Sequence, residues 1–340
     1  QGPQGGYVDK VFNSPELSGL VIGPDSVIYC SADRVKGGLY AYSHDGELKW
    51  HLPSITSLTP PIVSSDGIIY FSSIKSLFAV NPDGTVKWEY KYGESTFMDI
   101  IGINIGIDGK IYFINSNREL NALDENGNLV WQFQDSRIYY SDRNSIVFSP
   151  DGKTIYCIGK NIALIAIDLE NSLIKWSFGK INKRKYQHPP VVDSQGNIYI
   201  NAVVDSINGG LATVFSLYPN GEIRWALEEG EIFYAYQPTI DRDGNIYFAL
   251  DTLYSVDYSG NLNWTISLGY NLGNNLVCDV SDIIYVCLDA IELLAYAVDK
   301  KGNIKWELNY PAYVPIKPYA IGFGELYIPA QYAENFYLIK

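Results

Sequence analysis

Along most of the chain, hydrophobic and polar residues alternate in short runs, and each run stops at Asp-Gly, Asn-Gly or a similar polar pair. Between Pro60 and Tyr90, "PPIVSSDG" reads as a first strand and its turn and "IIYFSS" as a second strand. "SLFAVNPDG" follows as a third strand with its turn, and "TVKWEY" as a fourth. Period-two alternation, β-branched and aromatic side chains, and tight polar breaks are the marks of consecutive β-hairpins. The same four-strand unit recurs. Its second strand returns as "VIYC", "IIYF", "KIYF", "TIYC", "NIYI", "NIYF", "IIYV" and "ELYI". Its fourth returns as Gly-x-h-x-Trp, where h is apolar, and holds every tryptophan of the protein: Trp50, Trp88, Trp131, Trp176, Trp225, Trp264 and Trp306. Their spacings are 38, 43, 45, 49, 39 and 42 residues. A period of this size made of short strands is the signature of a β-propeller, with one four-stranded blade per repeat.

Eight second strands stand against seven tryptophan strands. The C-terminal "KPYAIGFGELYIPAQYAENFYLIK" supplies three strands and lacks a fourth, while "GYVDKVF" at Gly6–Phe12 has strand character and precedes the first unit. The expected fold is therefore all-β, an eight-bladed β-propeller of four-stranded antiparallel blades, closed by the N-terminal strand lying beside "FYLIK". Residues 1–340 form one domain in this reading: 1–12 complete the last blade, 13–312 hold the seven tryptophan repeats and 313–340 give the three remaining strands. Seven blades and a loose tail is the alternative. Within Gly-x-h-x-Trp, two-residue spacing predicts that h and the indole share one buried face, with the ring filling the gap between blades. Gly46, Gly84, Gly127, Gly221, Gly260 and Gly302 are expected to supply the positive φ of a bulged turn, and the fourth unit departs with Ser172 in that place.

Composition narrows the classes. With 47% hydrophobic and 14% aromatic residues the chain can bury a large core. It contains no apolar run of the ~20 residues that span a bilayer. The polar start "QGPQGG" reads as a mature N-terminus, a linker or a cloning remnant. A net charge of −13 argues against a phosphate-backbone binder and an anionic membrane surface. One basic run, "KINKRKYQH" at 180–188, is the exception and reads as a solvated loop. Four cysteines are too few for a disulfide framework. Cys30 and Cys157 occupy the same buried strand position, while Cys278 and Cys287 flank a tight turn, either as two thiols or as a disulfide across the hairpin.

The words "AVNPDGTVKW", "ALDENGNLVW", "AIDLENSLIKW" and "AVDKKGNIKW" resemble the tryptophan-docking motif, Ala-x-Asp-x-x-Thr-Gly-x-x-x-Trp, of the pyrroloquinoline-quinone-like (PQQ-like) propellers. Six of the seven turns are one residue shorter than that pattern, and only Ala166 to Trp176 has full length. The chain resembles the non-enzymatic repeat proteins, such as the outer-membrane assembly lipoprotein, more than the quinoprotein dehydrogenases. The latter carry vicinal cysteines, a calcium-binding set and a catalytic Asp, none of which can be matched here. What the resemblance implies is an extracytoplasmic protein (secreted, periplasmic or cell-surface) without a cofactor; PQQ with calcium is the disfavoured alternative.

No catalytic constellation appears. "DRDGN" at 241 and "DENGN" at 124 touch calcium-loop spelling but lack its remaining ligands. His44 and His51 read as solvated or packing residues, and His188, just before a first strand, is placed where it can face a channel mouth. There is no Gly-x-Ser-x-Gly, phosphate loop or His-Glu-x-x-His. Topology selects a face instead. Short turns join strands one to two and three to four at one end of each blade. Longer, variable connections occupy the other end, where binding usually resides. Candidate partner-binding residues there are Tyr92, Phe97, Arg137, Tyr139, Tyr140, Arg143, Tyr186, His188, Phe233, Tyr234, Tyr236, Tyr270, Tyr313 and Lys317, with Met98 and Asn274 beside them. Aromatic and Arg-rich surfaces suit protein hot spots, and Tyr beside Asn suits sugars. The expected function is a monomeric, non-catalytic scaffold for a protein or glycan. The alternative is an enzyme, either a PQQ-dependent dehydrogenase or a polysaccharide-degrading propeller, with its site at the channel mouth.

Overall fold

In a computed structural model the described residues are 2–15, 17–32, 37–53, 59–73, 75–92, 100–140, 146–180, 188–203, 212–229, 237–249, 252–268, 272–288, 293–310, 320–322, 324–329 and 335–340. They build eight four-stranded antiparallel sheets, the blades of an eight-bladed β-propeller. Among the described residues no helix is long and apolar enough to cross a membrane.

Contacts divide the chain into two compact units. The first carries blade one (Leu17–Ile22, Ile28–Ala32, Gly38–Tyr42, Leu48–Pro53) and blade two (Ile62–Val63, Ile69–Ser72, Ser76–Val80, Val86–Lys91). It also carries blade seven (Leu272–Cys278, Ile283–Leu288, Leu293–Asp299, Ile304–Tyr310) and blade eight (Ala320–Gly322, Glu325–Pro329, Asn335–Ile339, Val8–Asn13). The second carries blade three (Ile100–Ile105, Ile111–Asn115, Glu119–Leu123, Leu129–Gln134) and blade four (Val147–Phe148, Thr154–Gly159, Ile162–Asp168, Leu173–Lys180). Blade five (Val191–Val192, Ile198–Val203, Ala212–Leu217, Ile223–Glu229) and blade six (Thr239–Ile240, Ile246–Ala249, Thr252–Val256, Leu262–Ser267) complete it.

One register repeats inside the blades. The second-strand tyrosine pairs with a small residue on the third strand, which pairs in turn with the tryptophan: Tyr29, Ala41 and Trp50 in blade one, Tyr199, Ser216 and Trp225 in blade five. A bulky residue in the middle would separate the rings. Ala or Ser lets them approach to centroid distances of 5.8 Å and 6.0 Å in these two blades, and such aromatic pairs contribute about 0.5–1.5 kcal/mol beyond burial. Alternation then assigns faces. Tyr29 points at Ile69, Phe71 and Val80 of the next blade, while Ile28 and Cys30 point back at Tyr327 and Phe336 of blade eight. Cys30 and Cys157 are thus buried strand residues, as their position predicts.

The tyrosine is the deeper partner. Tyr29, Tyr156, Tyr199, Tyr247, Tyr285 and Tyr327 are among the largest fully buried side chains, whereas the tryptophans are half-buried. Each buried phenol needs a partner for its O–H, and the first turn provides it. Tyr29 donates to Asp25 (2.6 Å), Tyr112 to Asp108 (3.0 Å) and Tyr247 to Asp241 (2.8 Å), while Tyr327 donates to Glu325 (2.6 Å) at the start of its own strand. Burial, helped by the neighbouring carboxylate, pushes the Tyr29, Tyr199 and Tyr285 phenols well above their ordinary range, and Tyr156 up to about 12.

Each outer hairpin carries a β-bulge just beyond the tryptophan pair, as between Ala79 and Val80. The bulge overturns the expectation that h and Trp share a buried face. Leu48, Val86, Leu129, Ile223, Leu262 and Ile304 are 43% to 56% exposed, because the extra residue rotates the strand between h and the ring. The indole N–H reaches instead into the turn of the following blade. Trp50 donates to the Pro82 carbonyl (2.9 Å), Trp176 to that of Pro219 (3.0 Å) and Trp225 to that of Tyr258 (3.1 Å). The turn glycine lies under the ring: a Cβ on Gly84 would come within 2.9 Å of Trp50. At blade four, Ser172 takes the left-handed position itself (φ 52°), and its hydroxyl accepts the Trp131 N–H at 3.0 Å.

Both chain ends belong to this pattern. Val8–Asn13 pairs antiparallel with Asn335–Ile339 and completes blade eight, as the strand count predicts. Residues 2–6 are packed as well. The Pro3 carbonyl accepts the Trp306 N–H (3.2 Å), Gly6 lies against the same ring, and the Gly2 N–H donates to Asp279 (2.7 Å). On the closing strand, Lys10 stands opposite Leu338, in the place tryptophan takes elsewhere. Its Nζ reaches Asp45 of the blade-one turn (3.1 Å), while the Phe12 ring covers Gly46. All four cysteines are free, so the disulfide alternative for Cys278 and Cys287 is set aside; Cys287 is buried and Cys278 half-buried.

Candidate functional site

At the long-connection ends the best-defined candidate segment is Asp135–Tyr140, which leaves the last strand of blade three and docks on blade four. Ile138 is fully buried and bridges to Gly159, the Tyr139 N–H donates to the Ile158 carbonyl (3.1 Å), and the Lys160 N–H donates to the Arg137 carbonyl (2.6 Å). Ile138 is the anchor, and the side chains on either side of it are set by its burial. Arg137 projects outward, about half exposed, with Nε and Nη2 on the two oxygens of Asp135 at 2.9 and 2.8 Å. That fork holds the Asp135 carboxyl below the usual carboxylate range and raises the guanidinium. Tyr139 and Tyr140 follow, both half-buried. The docked segment thus carries a braced guanidinium beside two half-buried tyrosines.

Tyr92 is held differently. Its hydroxyl donates to the Ser73 carbonyl (2.6 Å), and its N–H donates to Lys75 (3.3 Å), so it ties down the connection between strands two and three of blade two. His188 lies half-buried, two residues before the buried Pro190 that leads into blade five. Asn274 falls within the first strand of blade seven. Phe97, Met98, Arg143, Tyr186, Phe233, Tyr234, Tyr236, Tyr270, Tyr313 and Lys317 lie outside the described residues, as does most of the basic run from Lys180 to His188. Of the candidates, the described structure brings together Arg137, Tyr139 and Tyr140.

Of the other histidines, His51 packs, stacking on Tyr40 at 3.9 Å, while His44 is exposed in the blade-one turn near Asp45 (3.6 Å). The turn aspartates that echo calcium loops serve their own hairpins. Asp241 accepts the N–H groups of Asp243 and Asn245 on one oxygen, and the Asn245 amide and the Tyr247 hydroxyl on the other. Among the described residues no group of three or more His, Cys, Asp and Glu is placed to hold a metal ion. The cysteines are dispersed thiols, and the carboxylates of Asp193 and Asp241 are engaged by their own hairpins.

Seven blades in which tyrosine, a small residue and tryptophan share one register, with an eighth completed by Val8–Asn13, define a PQQ-like repeat propeller. The chain belongs to the family described as outer membrane protein assembly factor BamB, whose model matches residues 35–265. Among solved structures, it is similar to BamB from Moraxella catarrhalis at 14% identity and a TM-score of 0.67, covering 98% of this chain and 97% of that one. It is also similar to a streptogramin B lyase (13% identity, TM-score 0.59, covering 98% of each chain). Virginiamycin B lyase from Staphylococcus aureus gives 12% identity and a TM-score of 0.60, covering 97% of this chain and 98% of that one. At such identities these likenesses concern the fold alone. A comparison with curated proteins finds no match.

Proposed function

We propose that the protein is a non-catalytic scaffold that binds a protein partner outside the cytoplasm, using the long-connection ends of its blades and no quinone cofactor. The observation that carries this reading is the Asp135–Tyr140 segment. Its backbone is fixed by Ile138, and its side chains offer a braced arginine and two tyrosines to a partner. Family membership supports it, because the family is described by its part in assembling outer membrane proteins. The lyase likeness is the reason to test for catalysis directly.

The test is site-specific photocrosslinking in cells. A benzophenone side chain replaces Arg137 or Tyr139 in two variants, and the exposed Lys49 of an outer strand in a control. Discrete crosslinked species are expected from positions 137 and 139 and none from 49. Equal crosslinking at all three positions, or at none, sinks the assignment of this surface. Added quinone with calcium is expected to leave the unfolding midpoint unchanged and to produce no bound chromophore. Steady turnover of an alcohol or polysaccharide would replace the scaffold reading with an enzymatic one.

A further inference from the structure

At the short-turn ends, away from Arg137, the first turns of blades five and six flank a cleft of about 550 Å³. That volume falls within the ~300–1,000 Å³ usual for small-ligand sites. Val192 and Ile240, the last residues of the two first strands, give it an apolar base. Ser194, Gln195, Arg242 and Tyr258 line the rest, with Asp193, Asp241 and Asp243 around them. It was hidden from the sequence because its polar residues spell ordinary hairpin turns.

An account of the polar atoms decides what the cleft can hold. Asp193 accepts the N–H groups of Gln195 (2.9 Å) and Asn197 (2.8 Å) on one oxygen, and the Asn197 amide (2.8 Å) and the Tyr199 hydroxyl (3.0 Å) on the other. Asp241 is filled in the same way by its own hairpin. A carboxylate has about four acceptor sites, so neither Asp has one left for a ligand. The Tyr258 hydroxyl accepts from the Asn197 amide (2.7 Å) and donates to Gln195 Oε1 (2.9 Å), and Arg224 covers its ring at 4.2 Å from the centroid. What stays available is mainly donors. These are the exposed Arg242 guanidinium, which makes no ion pair among the described residues, the Gln195 Nε2 amide and the Ser194 hydroxyl.

A ligand must therefore accept hydrogen bonds. It is also expected to be uncharged, since the carboxylates of Asp193, Asp241 and Asp243 outnumber the guanidinium groups of Arg242 and of Arg224 behind Tyr258 and so oppose an anion, while the filled oxygens of Asp193 and Asp241 leave mainly the exposed Asp243 to a cation. It needs an apolar face for Val192 and Ile240. A neutral sugar meets all three conditions: its C–H face covers the two aliphatic side chains, and its hydroxyl and ring oxygens accept from Arg242, Gln195 and Ser194. We infer that this cleft binds a short neutral oligosaccharide, independently of any protein bound at the opposite ends of the blades.

The probes are maltose, cellobiose and diacetylchitobiose, followed by saturation-transfer NMR and calorimetry, with glucose 6-phosphate as an anionic comparator and tetraglycine as a peptide comparator. At least one neutral disaccharide is expected to bind with a Kd on the order of 1 mM, more tightly than both comparators. Arg242→Ala and Gln195→Ala are each expected to weaken that binding about tenfold, and Arg137→Ala to leave it unchanged. Both lining residues are exposed, and unchanged unfolding midpoints will show that the variants are folded. The inference is overturned if none of the three sugars binds up to about 10 mM, if Arg242→Ala and Gln195→Ala bind as the wild type does, or if either comparator binds more tightly.

Discussion

Gly84 and Gly109 hold nearly the same backbone conformation, with φ of +88° and +76°, yet only Gly84 lies under an aromatic ring. A Cβ on Gly109 meets nothing within 4 Å, so Gly109→Ala is expected to cost about 1 kcal/mol of backbone strain. Gly84→Ala adds a clash with Trp50 and is expected to cost about 2–3 kcal/mol. Denaturant unfolding of the pair separates the two effects, and equal losses would show that the ring contact contributes nothing. The turn carboxylates make a prediction of their own. Hydrogen bonds hold Asp151, Asp168 and Asp257 below the usual range, from the Ser149 hydroxyl, the Asn171 N–H and the Asn261 amide respectively. A lowered native pKa stabilises the fold above the unfolded value of about 3.9 and loses that effect as pH falls through the native value. The unfolding midpoint should be level from about pH 8 to 5 and fall below about pH 4, with a shallower fall in Asp257→Asn. At this scale the tryptophan was legible and the depth of the tyrosine was not. The Gly-x-h-x-Trp word advertises the ring, whereas the deeper burial of Tyr199 or Tyr247 follows from the next blade's Ile and Phe, which sequence spacing alone does not locate.

Elements were the most readable level. Eight repeats of the "IY" strand fixed the blade number, and the missing fourth strand of the last unit pointed to Val8–Asn13. The bulge opposite each tryptophan was not readable, because it inserts a residue without changing the alternation of letters, and the exposure of Leu48 or Ile304 followed from it. The closing strand can be tested by removing residues 2–13. That leaves Asn335–Ile339 as an unpaired edge and Trp306 without its Pro3 carbonyl and Gly6. The midpoint is expected to drop by more than about 5 °C, with self-association through the bare edge. A synthetic peptide of residues 2–13 should reverse both. A truncated protein with an unchanged midpoint would mean that the strand is an accessory.

At the scale of the whole molecule, net charge and loops carry the functional expectations. A charge of −13 predicts that the protein passes through a heparin column at about 0.1 M salt, and retention would show that the basic residues from Lys180 to Lys185 dominate its surface. The candidate surface was legible as a direction, toward the long connections, and as a set of residues that includes Arg137, Tyr139 and Tyr140. Arg137, Tyr139 and Tyr140 emerged together because a buried Ile138, unremarkable in sequence, fastens their backbone. The short-turn ends were passed over because Asp, Asn and Gly there have a sufficient structural use.

The pairing of Val8–Asn13 with Asn335–Ile339 also has a bearing on biosynthesis. The closing strand is synthesised before every other strand described, and its partner after all of them. During elongation the early segment has no edge to join, and blade one lacks the Phe12 ring and Lys10 amine that its turn receives in the finished fold. Contacts of such long sequence separation form slowly. Completion of the last blade must therefore await synthesis of Asn335–Ile339, and until then the nascent chain exposes a strand that other proteins can capture.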